Sequence, residues 1–316
     1  VLEKSTEPAS GIFDGADCLF LYFWAAALSH AGATHHYRCF GGLGLSIHPR
    51  CRRLCQFIVP GLAALGHTFA HRTVFVDRRL RYLSGAMMTS WQRWSATDIG
   101  NRRAQNEDAL VCRDYDGLWA VIDGMGGINA GNVASAALAH AIEHLELKSS
   151  LPDAVDQIED LVLAVHEQLH DFAQQETPRR TLGCTLALMR PTQTWGLIAW
   201  VGDVRLYRWR DHALTRVTQD HLDGSHELTR LIGDGLLLPD FAVLRVQTGD
   251  RYLLASDGLH NELSDARLGY WLAQEPELAQ RELVAEALAA GGRDNLSFII
   301  LEVESETMGV DRRPLS

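Results

Sequence analysis

From Trp91 onward, apolar and polar positions recur with periods that predict regular elements. Ala109-Leu110-Val111-Cys112 and Leu118-Trp119-Ala120-Val121-Ile122 read as two strands joined by a turn at Asp116-Gly117. Two helices follow, the first over about 129–147. In the second, Val155, Ile158, Val162, Val165, Leu169 and Phe172 fall at spacings of 3, 4, 3, 4 and 3, a one-sided stripe. Pro152 suits the first turn of that helix. Strands are then predicted over 182–190, 195–201, 204–209, 213–217, 242–247 and 251–255. Helices near 264–272 and over 276–290 precede a last strand over 296–303. A strand pair, a helix pair, a strand meander, helices and a strand make an α+β order with hairpin-linked, mainly antiparallel sheets. Several strands are apolar on both faces, as when two sheets pack face to face with helices outside. No βαβ alternation occurs, which disfavours a doubly wound sheet.

The first 87 residues lack such periods. Apolar islands such as Leu19-Phe20-Leu21-Tyr22-Phe23-Trp24 and Phe57-Ile58-Val59 stand among Gly, His, Cys and Arg without capping or turn signals. Glu3, Glu7, Asp14 and Asp17 precede the first island, where a signal peptide would carry basic residues. Cys51-x3-Cys55, with His35-His36 and His48, lacks the paired ligand spacing of a zinc site. The chain starts with Val, and Met87-Met88 stands just before the patterned part. The composition before it is what GC-rich upstream DNA yields when translated. Residues 1–87 are therefore expected to be disordered or a mis-assigned start, the native product beginning at Met87 or Met88. One domain over 88–305 and a polar tail over 306–316 complete the division.

Composition narrows the class of protein. With 316 residues, 47% hydrophobic and 22% charged, the chain can bury a substantial core and is neither disordered nor collagen-like. The net charge of -11 divides into about +4 up to Met87 and -15 after it. That acidity argues against a sequence-independent nucleic-acid binder. No apolar run approaches the ~18 residues of a spanning helix, so no membrane partner is expected. Cys112 and Cys184, the two cysteines after Met88, are too few for a disulfide framework and suit a reducing cytoplasm.

Carboxylates carry the candidate chemistry. Asp-Gly occurs six times and is an ordinary turn signal. Asp123 and Asp257 differ from the other four because each ends an apolar strand, at the rim of the core, where an ionised carboxylate is costly unless neutralised. Asp294 lies just before the final strand, and Glu107-Asp108 opens the first. Acids at strand edges with no His or Cys among them suit hard divalent ions, Mg²⁺ or Mn²⁺, rather than zinc. Two such ions about 3.5–4 Å apart can activate a bridging water for in-line displacement at phosphorus. The competing reading is a set of unrelated turns and ion pairs.

Eight stretches in order decide between these readings. They are Arg102-Arg103-Ala104-Gln105-Asn106-Glu107-Asp108, Val121-Ile122-Asp123-Gly124-Met125-Gly126-Gly127, Ala130-Gly131-Asn132-Val133-Ala134-Ser135 and Gly183-Cys184-Thr185. Further on come Val201-Gly202-Asp203-Val204-Arg205-Leu206-Tyr207, Leu228-Thr229-Arg230-Leu231-Ile232-Gly233, Ser256-Asp257-Gly258-Leu259 and Gly292-Arg293-Asp294-Asn295. Over about 91–304 the chain resembles the bacterial type 2C, metal-dependent serine/threonine protein phosphatases. The resemblance implies a four-layer α-β-β-α sandwich with a pair of Mn²⁺ or Mg²⁺ ions in a cleft at one end. Asp123 would bridge both ions, the Gly124 carbonyl would bind one, and Asp257 and Asp294 would complete the ligands of the other. Glu107 and Asp108 would hold metal-bound waters. Arg103 would grip the substrate phosphate, with Arg102 its rival if the register slips by one. Catalysis would use an activated water and no cysteine, so Cys112 and Cys184 read as core residues. The loop glycines Gly124, Gly126 and Gly127 are expected to admit positive φ and close approach to the ion, and Asp203 is expected to serve only its turn.

The chain departs from the family pattern at three places. Ile128 replaces the usual His after Gly-Met-Gly-Gly, so a proton for the leaving oxygen must come from solvent, a metal-bound water or a side chain such as His221 or His260. Arg179-Arg180-Thr181 stands where many members place an acid that helps hold a third ion, and that site is not expected. Only a few residues separate Asp220-His221 from Leu228, so the substrate-contacting flap is nearly deleted. The implied partners are phosphorylated proteins and a cognate Ser/Thr kinase, the enzyme acting as a cytoplasmic monomer. A non-catalytic phosphoprotein-binding regulator on the same fold is the alternative; a two-metal phosphodiesterase fits poorly with so acidic a domain.

Overall fold

The computed structural model describes residues 36–38, 44–46, 73–80, 90–126, 130–175, 182–192 and 194–304. Expectations concerning Gly127, Ile128, Arg179-Arg180-Thr181, the tail 306–316 and the N-terminal Cys and His side chains lie outside the described residues. The chain divides into two units, Val1–His67 and Thr68–Ser316. In the first, β1 (His36–Arg38) and β2 (Gly44–Ser46) form an antiparallel pair with Tyr37 opposite Leu45.

In the second unit the chain runs through β3 (Thr73–Leu80), β4 (Ser90–Asp98), β5 (Ala109–Arg113) and β6 (Leu118–Gly126). The helices α1 (Ala130–Glu143) and α2 (Leu151–Gln175) follow, then β7 (Leu182–Thr192), β8 (Trp195–Val201), β9 (Arg205–Arg210) and β10 (Ala213–Arg216). Last come β11 (Asp240–Arg245), β12 (Arg251–Ala255), α3 (Asp257–His260), α4 (Asp265–Leu272), α5 (Pro276–Ala290) and β13 (Leu296–Glu304). A six-stranded sheet has the order β10-β9-β12-β13-β4-β3 and a five-stranded sheet the order β11-β8-β7-β6-β5, every neighbouring pair antiparallel. This is the expected α+β sandwich.

Period-two alternation sorts side chains into layers. From β13, Ile299, Leu301 and Val303 join Trp119 and Val121 of β6, Met189 of β7 and Tyr252 and Leu254 of β12 in a core between the sheets. The alternate residues Phe298 and Ile300 pack with Leu253, Trp271, Leu283 and Ala287 in a second core under α4 and α5. On the other side, α1 buries Ala134, Leu138 and Ile142, and α2 buries Ile158, Val162, Val165, Leu169 and Phe172, five members of its predicted stripe. Ala154 replaces Val155 as the buried residue of its first turn.

Strand β4 carried no readable strand pattern, for a physical reason. Trp91 faces the core between the sheets and Trp94 the helix layer, so both faces are covered and the apolar residues fall three apart. Arg93 is buried as well, paired with the buried Asp114 at 2.7 and 2.9 Å, and Trp119 Nε1 donates to the same carboxylate at 2.8 Å. Strand β3, upstream of Met87, pairs along β4 from Thr73 opposite Asp98 to Leu80 opposite Trp91.

Candidate metal centre

The antiparallel order brings the ends of five strands to one end of the sandwich. Asp108 immediately precedes β5, Asp294 lies two residues before β13, and Asp203 is in the turn between β8 and β9. Asp123 continues the inward file of Trp119 and Val121 along β6, opposite Thr185 of β7. Asp257 follows Ser256 at the end of β12, in the first turn of α3.

Each carboxylate raises the proton affinity of its neighbours. Burial, then the charges of Asp108, Asp257, Asp203 and Asp294, hold Asp123 well above the usual carboxylate range. Burial pushes Asp257 up to about 7, with Asp203, Asp294 and Asp108 adding to it and Arg103 opposing. Asp108 is pushed up to about 6 by burial, against hydrogen bonds from Ser297 and Ser256, the latter at 3.0 Å. Its other oxygen, Oδ1, is buried with no hydrogen-bond partner. A buried carboxylate oxygen without a donor is costly, and a cation, or a water held by one, would satisfy it.

Arg103 supplies positive charge within this cluster. Its guanidinium bonds Asp294 and faces Glu107 and Asp123. Glu107 sits at the N-terminus of α1, accepting from the backbone N–H groups of Gly131 and Asn132, where a carboxylate is favoured. A Cβ on Gly124 would lie 2.1 Å from the Gly131 carbonyl oxygen, and one on Gly131 would lie 2.5 Å from that of Gly124. Glycine is needed at both positions because α1 seats directly on the end of β6. Neither Gly124 nor Gly126 has positive φ, contrary to expectation.

All seven residues singled out by the motifs therefore gather at one end: Arg103, Glu107, Asp108, Asp123, Gly124, Asp257 and Asp294. Asp203, expected to serve only its turn, belongs to the same electrostatic cluster. The rule that singled out Asp123, an acid ending an apolar strand, reaches Asp203 only if it is allowed to step over Gly202, which separates it from the end of β8. Asn295 was also missed. Its side chain donates to the carbonyls of Ile99 and Gln105 and accepts from the Glu107 N–H, each at 2.9 Å, so it ties the Arg103 loop to the Asp294 loop. Asn295→Ala leaves three backbone groups without partners and is expected to cost about 2 kcal/mol in urea unfolding.

His221 and His260 turn out to hold the Asp203 turn. Gly202 N–H donates to His221 Nδ1 at 3.0 Å, and His260 Nε2 donates to the Asp203 carbonyl at 3.0 Å. Burial, then Arg205, lowers His260 to about 4, so it is neutral near pH 7 with its proton committed to a carbonyl. The abbreviated flap is a tight turn in which Asp223 Oδ1 accepts from Ser225 and Glu227, with Leu222 bridged to Leu228. Cys112 and Cys184 are free thiols, and burial raises both, Cys112 to about 11, as suits inert core residues.

The sequence profile described as protein phosphatase 2C matches residues 101–290. The chain belongs to the protein phosphatase 2C family. Among relatives, the serine/threonine protein phosphatase PstP of Mycobacterium tuberculosis is 33% identical over 243 residues, covering 69% of this chain and 46% of the relative. The chain thus spans about half the length of that phosphatase. The serine/threonine phosphatase stp of Listeria monocytogenes is 28% identical over 245 residues, covering 68% of this chain and 97% of the relative. Of solved phosphatase 2C-like structures, PppA, described as a key regulatory component of the type VI secretion system in Pseudomonas aeruginosa, superposes with a TM-score of 0.65 at 31% identity, covering 67% of this chain and 97% of the other. The catalytic domain of PstP in complex with two manganese ions superposes with a TM-score of 0.63 at 28% identity, covering 68% and 99%.

Proposed function

We propose that this chain is a metal-dependent protein phosphatase that hydrolyses phosphoserine and phosphothreonine, opposing a Ser/Thr kinase in the cytoplasm. The observation that carries the reading is the convergence of Asp108, Asp123, Asp257 and Asp294 around Arg103, with Asp108 Oδ1 buried and unpartnered. An all-oxygen donor set of this charge fits Mn²⁺ or Mg²⁺. Asp123 would contact two ions, with the Gly124 carbonyl, Asp257 and Asp294 as further ligands and Glu107 and Asp108 orienting waters. When bound, the ions lower the pKa of a water and offset charge on the phosphate.

The side chains then divide the remaining work. Arg103, half-exposed and bonded to Asp294, can swing its planar fork onto two phosphate oxygens, leaving Asp294 to its cation. His221 and His260 keep the Gly202–Asp203 turn fixed and are not placed to deliver a proton, so the leaving oxygen takes its proton from water. The compact turn at 222–228 leaves this side of the cleft open to a folded phosphoprotein. The alternative of a binding-only regulator has no feature in its favour, since no acid of the cluster is replaced.

The test is phosphate release from a phosphothreonine peptide by the metal-stripped full chain, before and after adding Mn²⁺. Turnover that appears only with the cation is expected; none under either condition would leave a phosphoprotein-binding role. Arg103→Ala is expected to raise KM about tenfold to a hundredfold with a smaller change in kcat, because its charge-assisted contact is made in ground and transition states alike. If Arg102→Ala produced that effect instead, the register of the clamp would be off by one.

A further inference from the structure

A second group of metal-ligating side chains lies at the far end of α1 from Gly131. His140, Glu143 and His144 each bring a ligand atom within 4.8 Å of the others. Positions i, i+3 and i+4 share one helix face, and the two imidazole rings are 4.2 Å apart. His144 Nδ1 lies 2.9 Å from the His140 carbonyl. A carbonyl only accepts, so Nδ1 carries the proton and Nε2 the lone pair, the arrangement that orients metal-ligating histidines. His140 Nε2 is buried without a hydrogen-bond partner. Burial and then the neighbouring His144 lower the pKa of His140, favouring the neutral, ligating form.

Helix capping alone does not account for this group. A histidine in the last turn suits the negative end of the helix, but Glu143, the last residue of α1, opposes it. A bound cation reverses that penalty. Arg113 does not serve as its counter-charge in the structure: it pairs with Asp116 and donates to the Ile142 and Leu145 carbonyls. Glu143 and His144, though not His140, open onto a cavity also lined by Asp116 and Glu146 and by Arg113 and Arg190. The first guanidinium is bonded to Asp116 and the second to the Lys148 carbonyl, and an ion and its waters would enter from the Glu143 and His144 side.

We propose that His140, Glu143 and His144 form a surface site for a zinc-class transition-metal ion, with water completing its coordination. Two imidazoles and one carboxylate favour Zn²⁺ or Co²⁺ over Mg²⁺, the reverse of the acidic cluster. Because the three ligands meet only when α1 is helical, occupancy stabilises the folded state.

The test titrates Co²⁺ into the full chain with excess Mg²⁺ occupying the acidic cluster, following the visible d–d absorption and its loss when Zn²⁺ is added. A single saturable band is expected, with affinity falling at least about tenfold in His144→Ala and Glu143→Gln. Asp123→Asn is expected to leave the band in place. Both helix-end side chains are exposed, and circular dichroism checks that the variants remain folded. No band in the wild type, an unchanged band in His144→Ala, or loss of the band in Asp123→Asn would each overturn the assignment.

Discussion

Asp123→Asn is expected to lower kcat of the Mn²⁺-loaded protein by about a thousandfold, while the variant stays folded and, stripped of metal at pH 7.5, melts at a higher temperature than the wild type. The two halves of that expectation have one cause. Asp123 lies among Asp108, Asp257, Asp203 and Asp294, and burial with four like charges is what raises its pKa. Removing the carboxyl charge relieves repulsion in the metal-free fold, and the amide keeps the shape and one acceptor oxygen while its NH2 can donate to a neighbouring carboxylate. With ions present the balance reverses, because the proposed bridging ligand is gone. A loss of ~4 kcal/mol of charge stabilisation in the transition state corresponds to that thousandfold. Phosphopeptide kinetics and melting curves with and without Mn²⁺ measure both halves. A variant that lost activity because it unfolded would melt lower under both conditions, and one that kept its turnover would remove Asp123 from the catalytic site.

The contrast between what the sequence disclosed and what it hid follows from where each signal is stored. The α2 stripe was legible because one face meets the core and the other meets water, so apolar residues repeat with the helical period. β12 and β13 were legible as unbroken apolar runs because each is covered on both faces. β4 is covered in the same way, yet its inward file includes Arg93, whose charge is neutralised by Asp114 from a different hairpin. That compensation is long-range, and a local pattern cannot contain it. Among the acids, Asp123 and Asp257 were found because each ends an apolar strand, whereas Asp203 follows a glycine in an apparent hairpin turn. Asn295 was hidden for another reason. An asparagine after an aspartate suggests a turn, and only the folded chain shows that it joins two loops almost two hundred residues apart.

Stabilisation of the fold by Mg²⁺ is expected to grow as pH rises from 5 to 7.5. In the metal-free protein the folded pKa values of Asp108, Asp123 and Asp257 lie above the ordinary carboxylate value. Between about pH 4 and 7 the native state therefore holds protons that the unfolded chain has released, and these groups make stability fall as pH rises. His140, His166, His221 and His260, lowered by burial, act in the opposite sense below about pH 6.5, since the unfolded chain then binds the extra protons. A melting curve of the metal-free protein alone would mix the two effects. Comparing EDTA with saturating Mg²⁺ at each pH separates them, because Mg²⁺ has little affinity for imidazole and the histidine contributions cancel in the difference. Each proton displaced from the acidic cluster adds about 1.4 kcal/mol of Mg²⁺ stabilisation per pH unit. The Tm difference should therefore widen steadily across this range, with protons released in pH-stat titration as Mg²⁺ binds. A constant difference with no proton release would mean that the carboxylates are already ionised in the metal-free fold, and the mutual repulsion invoked for Asp123→Asn would go with it.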